Sequence, residues 1–225
     1  MADRFIVLEE AWPELLNALF HASKMQDASH REGAFRIFAT TPGIIEKQHG
    51  EVVQKVFVAG FDDENLGVRI AAMEAFSAFF RSIKKAAQKL FYPLLTNILN
   101  ILVPIKDGQD SENLSRALMA LIDLAEVAPL MFKPLFNNVV KFAISVVQDK
   151  DLTDLARQNA LELLATFADN APNMCKKEPI YASEMVTQCL SLMTDIGTDD
   201  DDAAEWNDSD DVGLRLCGCL FHPDG

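Results

Sequence analysis

One helical phrase recurs along this chain at intervals of about 40 residues, and a chain written that way has few folds open to it. The fullest copy, LTDLARQNALELLATFADNAP, occupies residues 152–172. In it Leu155, Ala156, Ala160, Leu163, Leu164 and Phe167 fall three and four residues apart, the spacing that stacks side chains on one helical face. Thr153 or Asp154 can cap its start, and Pro172 stops its continuation. Three other stretches repeat the pattern of an Arg, a following Ala and a Leu/Phe-rich face. They are REGAFRIFATTP from Arg31, RIAAMEAFSAFF from Arg69 and RALMALIDLAEVAP from Arg116. The anchors at 31, 69, 116 and 157 are separated by 38, 47 and 41 residues.

A second phrase alternates with the first. An outer helix is expected over residues 11–24, its Pro13 at a tolerated first-turn position, and others at 52–61, 89–104 and 131–148. Inner partners are expected at about 29–40, 68–83 and 112–127, with the 152–172 helix as the fourth. Pro93 in FYPLL and Pro134 in FKPLF hold matching places 41 residues apart, while Pro42, Pro129 and Pro172 close inner helices. Helical pairs at this period predict an all-α fold, a HEAT-repeat α-α superhelix or solenoid of about four and a half repeats. The half repeat is an outer helix at 181–194. Residues 1–10 read as an irregular start or the remnant of a preceding helix, 11–196 as the solenoid, and 197–225 as an acidic, disordered tail.

Charge narrows the partners. The net charge is −14, which argues against direct nucleic-acid binding and fits basic protein partners. Nine carboxylates and no Lys or Arg lie between Asp195 and Asp211, leaving −5 for the remainder. Four cysteines, no leader-like start and an apolar run (LLTNILNILVPI) too short for a bilayer suggest a soluble intracellular protein with no membrane partner. Nothing resembles a nucleophile elbow or a phosphate-cradling glycine loop, so no enzyme, catalytic residue or cofactor is expected.

The phrases WPELL, REGAFRIFATTPGI, DLARQNALELLATFADNAP and DDDDAAEWNDSDD together resemble the importin-β superfamily, or karyopherin-β, nearest its importin 5 / karyopherin β3 branch. The likeness covers roughly residues 10–211. It implies a segment of a nuclear import receptor of about twenty HEAT repeats, found in cytoplasm and nucleus and at the nuclear pore. Basic cargo proteins bearing nuclear localisation signals and Phe-Gly nucleoporins would be its partners. Ran-GTP binding belongs to the whole receptor and is expected to be weak here, since earlier repeats supply much of that contact. The chain reads as an N-terminal-half fragment without the first repeats, and residues 212–225 depart from the family's next inner helix. The alternative is a HEAT scaffold of another kind, for a phosphatase or a complex-assembly platform.

The acidic tract is the candidate cargo site: Asp199, Asp200, Asp201, Asp202, Glu205, Asp208, Asp210 and Asp211 would attract basic segments, with Trp206 as a cation–π anchor. The opposing reading is a solubilising linker, and a calcium loop fails for want of a Gly at the sixth position and an acid at the twelfth. Cys217, Cys219 and His222 form C-x-C-x-x-H but lack a fourth ligand, so no metal is expected. Arg31, Arg69, Arg116 and Arg157 read as structural ladder residues between repeats. Phe57, Phe61, Phe91, Phe132 and Phe136 lie on or beside outer helices, mostly facing the core. In the family it resembles, grooves between neighbouring outer helices accept nucleoporin Phe side chains.

Overall fold

The structure, a computed structural model, describes residues 13–46 and 48–194. Every element among the described residues is helical. Outer helices α1 (Pro13–Ala22), α4 (Gly50–Phe61), α7 (Leu95–Asp107) and α9 (Phe136–Val147) are followed by inner helices α2 (Ala28–Thr40), α5 (Leu66–Ser82), α8 (Ser111–Val127) and α10 (Asp154–Asn170). Short helices α3 (Gly43–Glu46), α6 (Lys85–Gln88) and α11 (Pro172–Cys175) lie in the turns from inner to outer helix, and α12 (Tyr181–Thr194) comes last. Each inner helix packs on the next, α2 on α5, α5 on α8 and α8 on α10, so these helices form a continuous layer. This is a HEAT-type stack. The chain divides into two compact units, Met1–Gln188 and Cys189–Gly225, and the four helical pairs all belong to the first. The stretches 1–10 and 197–225, expected to be irregular and acidic respectively, lie outside the described residues.

Local chemistry explains where the inner helices start. Their orphan N-terminal N–H groups need acceptors, and a side-chain oxygen supplies one at every start. Asp27 accepts from the Ser29 N–H at 2.9 Å, Asn65 from Val68 at 3.3 Å, Asp110 from Asn113 at 3.2 Å and Thr153 from Ala156 at 3.5 Å. Stops are as regular. Thr41, Ala128 and Ala171 leave the helix with φ near −133° to −142° and ψ near 52° to 61°. Each precedes a proline whose ring excludes the α conformation for the residue before it. The second inner helix has no such proline, and Ile83 turns it out in an extended conformation instead.

Prolines also redraw the outer helices. The stretches expected as single helices at 89–104 and 131–148 begin with 3-10 turns, Lys89–Leu94 and Pro129–Leu135, that enclose Pro93 and Pro134. A proline lacks the N–H that an α-helix interior requires, so the α-helix starts only at Leu95 and Phe136, two residues later.

Between the layers, Ala34, Ala72, Leu121, Ala160 and Leu164 are buried, as are Phe57, Phe61, Phe91, Phe132 and Phe136. The first repeats share a network of phenylalanine rings, with Phe57 edge-on to Phe76 at 5.1 Å and Phe79 edge-on to Phe91 at 5.1 Å. Leu, Ile, Val and Ala dominate the later core, with one smaller cluster of Phe132, Phe136, Phe167 and Tyr181. Pro129–Val147 is long and apolar enough to cross a membrane, and half of it is buried inside the protein.

Candidate functional site

The repeat's two kinds of connection lie at opposite ends of its helices, so like connections gather along one edge of the stack. Outer-to-inner loops carry carboxylates, and these are tied from repeat to repeat. Arg31 donates Nε and Nη2 to the Asp63 carboxylate at 2.7 and 2.9 Å. Lys106 pairs with Asp149 at 3.0 Å, and Ser111 Oγ accepts the Thr153 N–H at 3.1 Å. Burial works against the charge on Asp63, but hydrogen bonds from Arg31 and the Asn65 N–H outweigh it and hold the carboxyl below its usual range. The Lys106 hydrogen bond does the same for Asp149.

The four arginines expected in a ladder do different jobs. Arg31, Arg69 and Arg157 all stand four residues past their helix caps, whereas Arg116 stands six past Asp110. The caps are therefore the truer register, at steps of 38, 45 and 43. Arg31 reaches the next repeat and also donates Nη1 to the carbonyls of Met25 and Gln26, at 2.9 and 2.6 Å, closing its own hairpin. Arg157 likewise bonds the Val147 carbonyl that ends α9, at 3.0 Å, and Asp154 at 3.1 Å. Arg116 forks onto Glu74 of the preceding inner helix at 2.9 and 3.0 Å, a bidentate pairing. Arg69 is the exception: its Nε is buried with no hydrogen-bond partner among the described residues, while Arg31 holds Asp63.

On the outer face, α7 and α9 leave an apolar groove of about 230 Å³. Leu99, Val103, Leu135, Val139 and Phe142 line it, together with the exposed Asn100 and Asn138. It is smaller than the usual small-molecule pocket of about 300–1,000 Å³, which suits one inserted side chain better than a whole ligand. The exposed amides could hydrogen-bond the backbone carrying that side chain. Sequence periodicity marked the helices but not the groove, since Leu99 and Val103 differ from core positions only in facing the gap. Phe57, Phe61, Phe91, Phe132 and Phe136, most of them expected in the core, are all buried there and do not line it.

The acidic positions Asp199, Asp200, Asp201, Asp202, Glu205, Trp206, Asp208, Asp210 and Asp211 lie outside the described residues, as do Cys217, Cys219 and His222. Among the described residues no group of three or more potential ligands is placed to hold a metal ion. Cys175 and Cys189 are free thiols, and burial pushes the Cys175 thiol up.

Comparison with known proteins supplies names for this architecture. A family model described as IPO5-like, TPR repeats, matches residues 3–142, and one described as Importin repeat matches residues 149–213. Importin subunit beta-3 of Saccharomyces cerevisiae is 40% identical over 202 residues, covering 90% of this chain and 18% of that protein. The crystal structure of Kap121p bound to Nup53p matches with a TM-score of 0.78 at 39% identity, covering 87% of this chain and 19% of that one. Kap121p bound to Pho4p matches with the same figures. The chain thus spans less than a fifth of the length of these relatives.

Proposed function

Because this chain belongs to the importin-5-like branch of the importin-β family, we propose that it is a segment of a nuclear import receptor in Ran-dependent transport. Its outer face would bind Phe-Gly nucleoporins, and its acidic tract basic cargo proteins. The observation that carries the reading is the groove between α7 and α9, mainly apolar, with two exposed asparagines in its lining and a volume scaled to one aromatic side chain. Kap121p, a structural relative, has been crystallised with the nucleoporin Nup53p and with Pho4p. Repeat chemistry supports a groove of this kind, since outer helices that diverge slightly expose the flanks of residues whose tips are buried.

Binding of a Phe-Gly repeat peptide to the 225-residue chain tests the groove. Val103→Glu places a charge where a ring would insert and should weaken binding at least tenfold, since an unpaired charge in an apolar contact costs more than about 1.4 kcal/mol. Val103 is already exposed, so the fold should persist and its melting temperature should hold. Equal binding by the variant removes this site from the proposal. For cargo, replacing Asp199, Asp200, Asp201 and Asp202 by Asn should slow association with a Lys-rich peptide, because peripheral charges act mostly on encounter. An unchanged association rate at low salt reduces the tract to a solubilising linker. Recovery of phosphatase subunits in place of nucleoporins would favour the scaffold reading.

A further inference from the structure

The edge opposite the ion-paired loops has an unusual composition. Its turn before α4 carries Glu46, but the next three inner-to-outer turns, at 83–94, 128–135 and 171–180, hold six lysines, Lys84, Lys85, Lys89, Lys133, Lys176 and Lys177, in a chain whose net charge is −14. All six are exposed. They face a single carboxylate in those turns, Glu178, and Asn137 already donates to it at 2.9 Å. Arg31, Lys106 and Arg116 elsewhere on the molecule find carboxylates, and Arg81, in the last turn of α5 beside this edge, takes up Asp123 and Glu126 of α8. Among the described residues none of the six edge lysines forms an ion pair.

Each of the same turns also exposes one aliphatic side chain beside its lysines: Leu90 at 48%, Leu130 at 62% and Ile180 at 36%. A single exposed leucine needs no explanation. Three in successive repeats, each within three residues of an unpaired lysine, form a repeating cation–aliphatic pair.

We propose that this edge is a docking strip for an extended protein segment in which acidic and aliphatic side chains alternate. Neighbouring helices pack about 8–10 Å apart, and an extended chain advances about 3.3 Å per residue. One acidic–aliphatic unit of about three residues would therefore meet each turn. The uncompensated lysines repel one another along the edge, and a carboxylate at each turn removes that repulsion while the aliphatic partner covers exposed apolar surface. A nucleic acid fits less well. The chain's overall negative charge repels a phosphate backbone, and aliphatic side chains offer no stacking face to bases. This strip adjoins the outer-face groove at Leu135 but uses other side chains, and it does not depend on the nucleoporin reading.

The test uses the full 225-residue chain and a fluorescein-labelled peptide of about twelve residues repeating Leu-Glu-Asp, long enough to span three turns. It should bind at about 0.01 M salt and weaken at least tenfold by about 0.15 M, as the screening length falls from about 30 to about 8 Å. The double variant Lys133→Glu/Lys176→Glu should weaken binding about tenfold, whereas Lys24→Glu/Lys141→Glu, with the same charge change placed elsewhere, should stay within about twofold. Leu130→Ser should cost several-fold, through lost apolar contact. Val103→Glu should leave this peptide's affinity unchanged, which separates the strip from the groove. No binding at low salt, equal losses from the two double variants, or equally tight binding of an oligothymidylate of matching charge would overturn the proposal.

Discussion

The two halves of the stack reach the same backbone by different packing. In repeats one and two, Phe35, Phe38, Phe57, Phe61, Phe76, Phe79 and Phe80 interlock, and Gly60 is the notch that lets them close. A Cβ at Gly60 would stand 2.4 Å from the Phe35 ring and 2.7 Å from the Ala72 methyl. In repeats three and four, Leu, Ile, Val and Ala dominate; Phe91, at the start of the third, joins the first cluster, and a smaller set of rings, Phe132, Phe136, Phe167 and Tyr181, gathers in the last. Aromatic packing fills volume with few, rigid, oriented pieces, whereas aliphatic packing uses many small adjustable ones. The first half should therefore tolerate less change in shape than the second.

Truncation gives the sharpest contrast. Phe76→Ala deletes a ring that touches Phe57, Phe61, Phe80 and Phe91 and should cost about 3–5 kcal/mol in chemical denaturation. Leu118→Ala, equally buried in the aliphatic half, should fall near the lower end of about 2–5 kcal/mol because its neighbours can close in. Equal losses at the two sites would mean that ring geometry adds nothing to buried area. Enlargement comes next. Gly60→Ala should destabilise by about 1–3 kcal/mol, since Phe35 and Ala72 cannot move aside. Gly33→Ala, in the same half but with nothing within 4 Å of the added methyl, should stabilise α2 by about 0.5–1 kcal/mol. If both changes prove neutral, the first core is looser than its contacts imply.

The smallest effect concerns pH. The folded-state pKa of Asp63 lies below its unfolded value, so its contribution is fully present above the unfolded pKa, near 3.9, and is lost as pH falls through the folded value. Asp63→Asn should flatten the acid limb of the thermal stability profile below about pH 4 and leave its slope near pH 7 unchanged. A steep acid limb that survives the substitution would move the acid sensitivity to other carboxylates.

Much of this architecture was legible in the sequence because caps and stops are local chemistry. Thr153 announces a helix start, and Pro42, Pro129 and Pro172 announce ends, with no knowledge of the fold; Asp27, Asn65 and Asp110 prove to cap by the same local chemistry. Arg116 misled the register because an arginine can reach a neighbouring repeat from more than one position on the helix, whereas a cap works only at its own. The 3-10 turns around Pro93 and Pro134 were hidden by the apolar residues about them, which suit either kind of helix. The groove between α7 and α9 was not legible at all, since it depends on how far two helices diverge. Gly60 carries no sequence signal of its role, because only the position of Phe35 makes it necessary.

The cross-repeat bonds have a consequence for synthesis on the ribosome. Arg31 reaches 32 residues forward to Asp63, Glu74 and Arg116 lie 42 apart, and Ser77 to Asp123 spans 46. A nascent chain bound by such short ties need not wait for its C-terminus. Each hairpin can dock as soon as about one more repeat has emerged, at about 5–20 residues per second, so folding can keep pace with elongation.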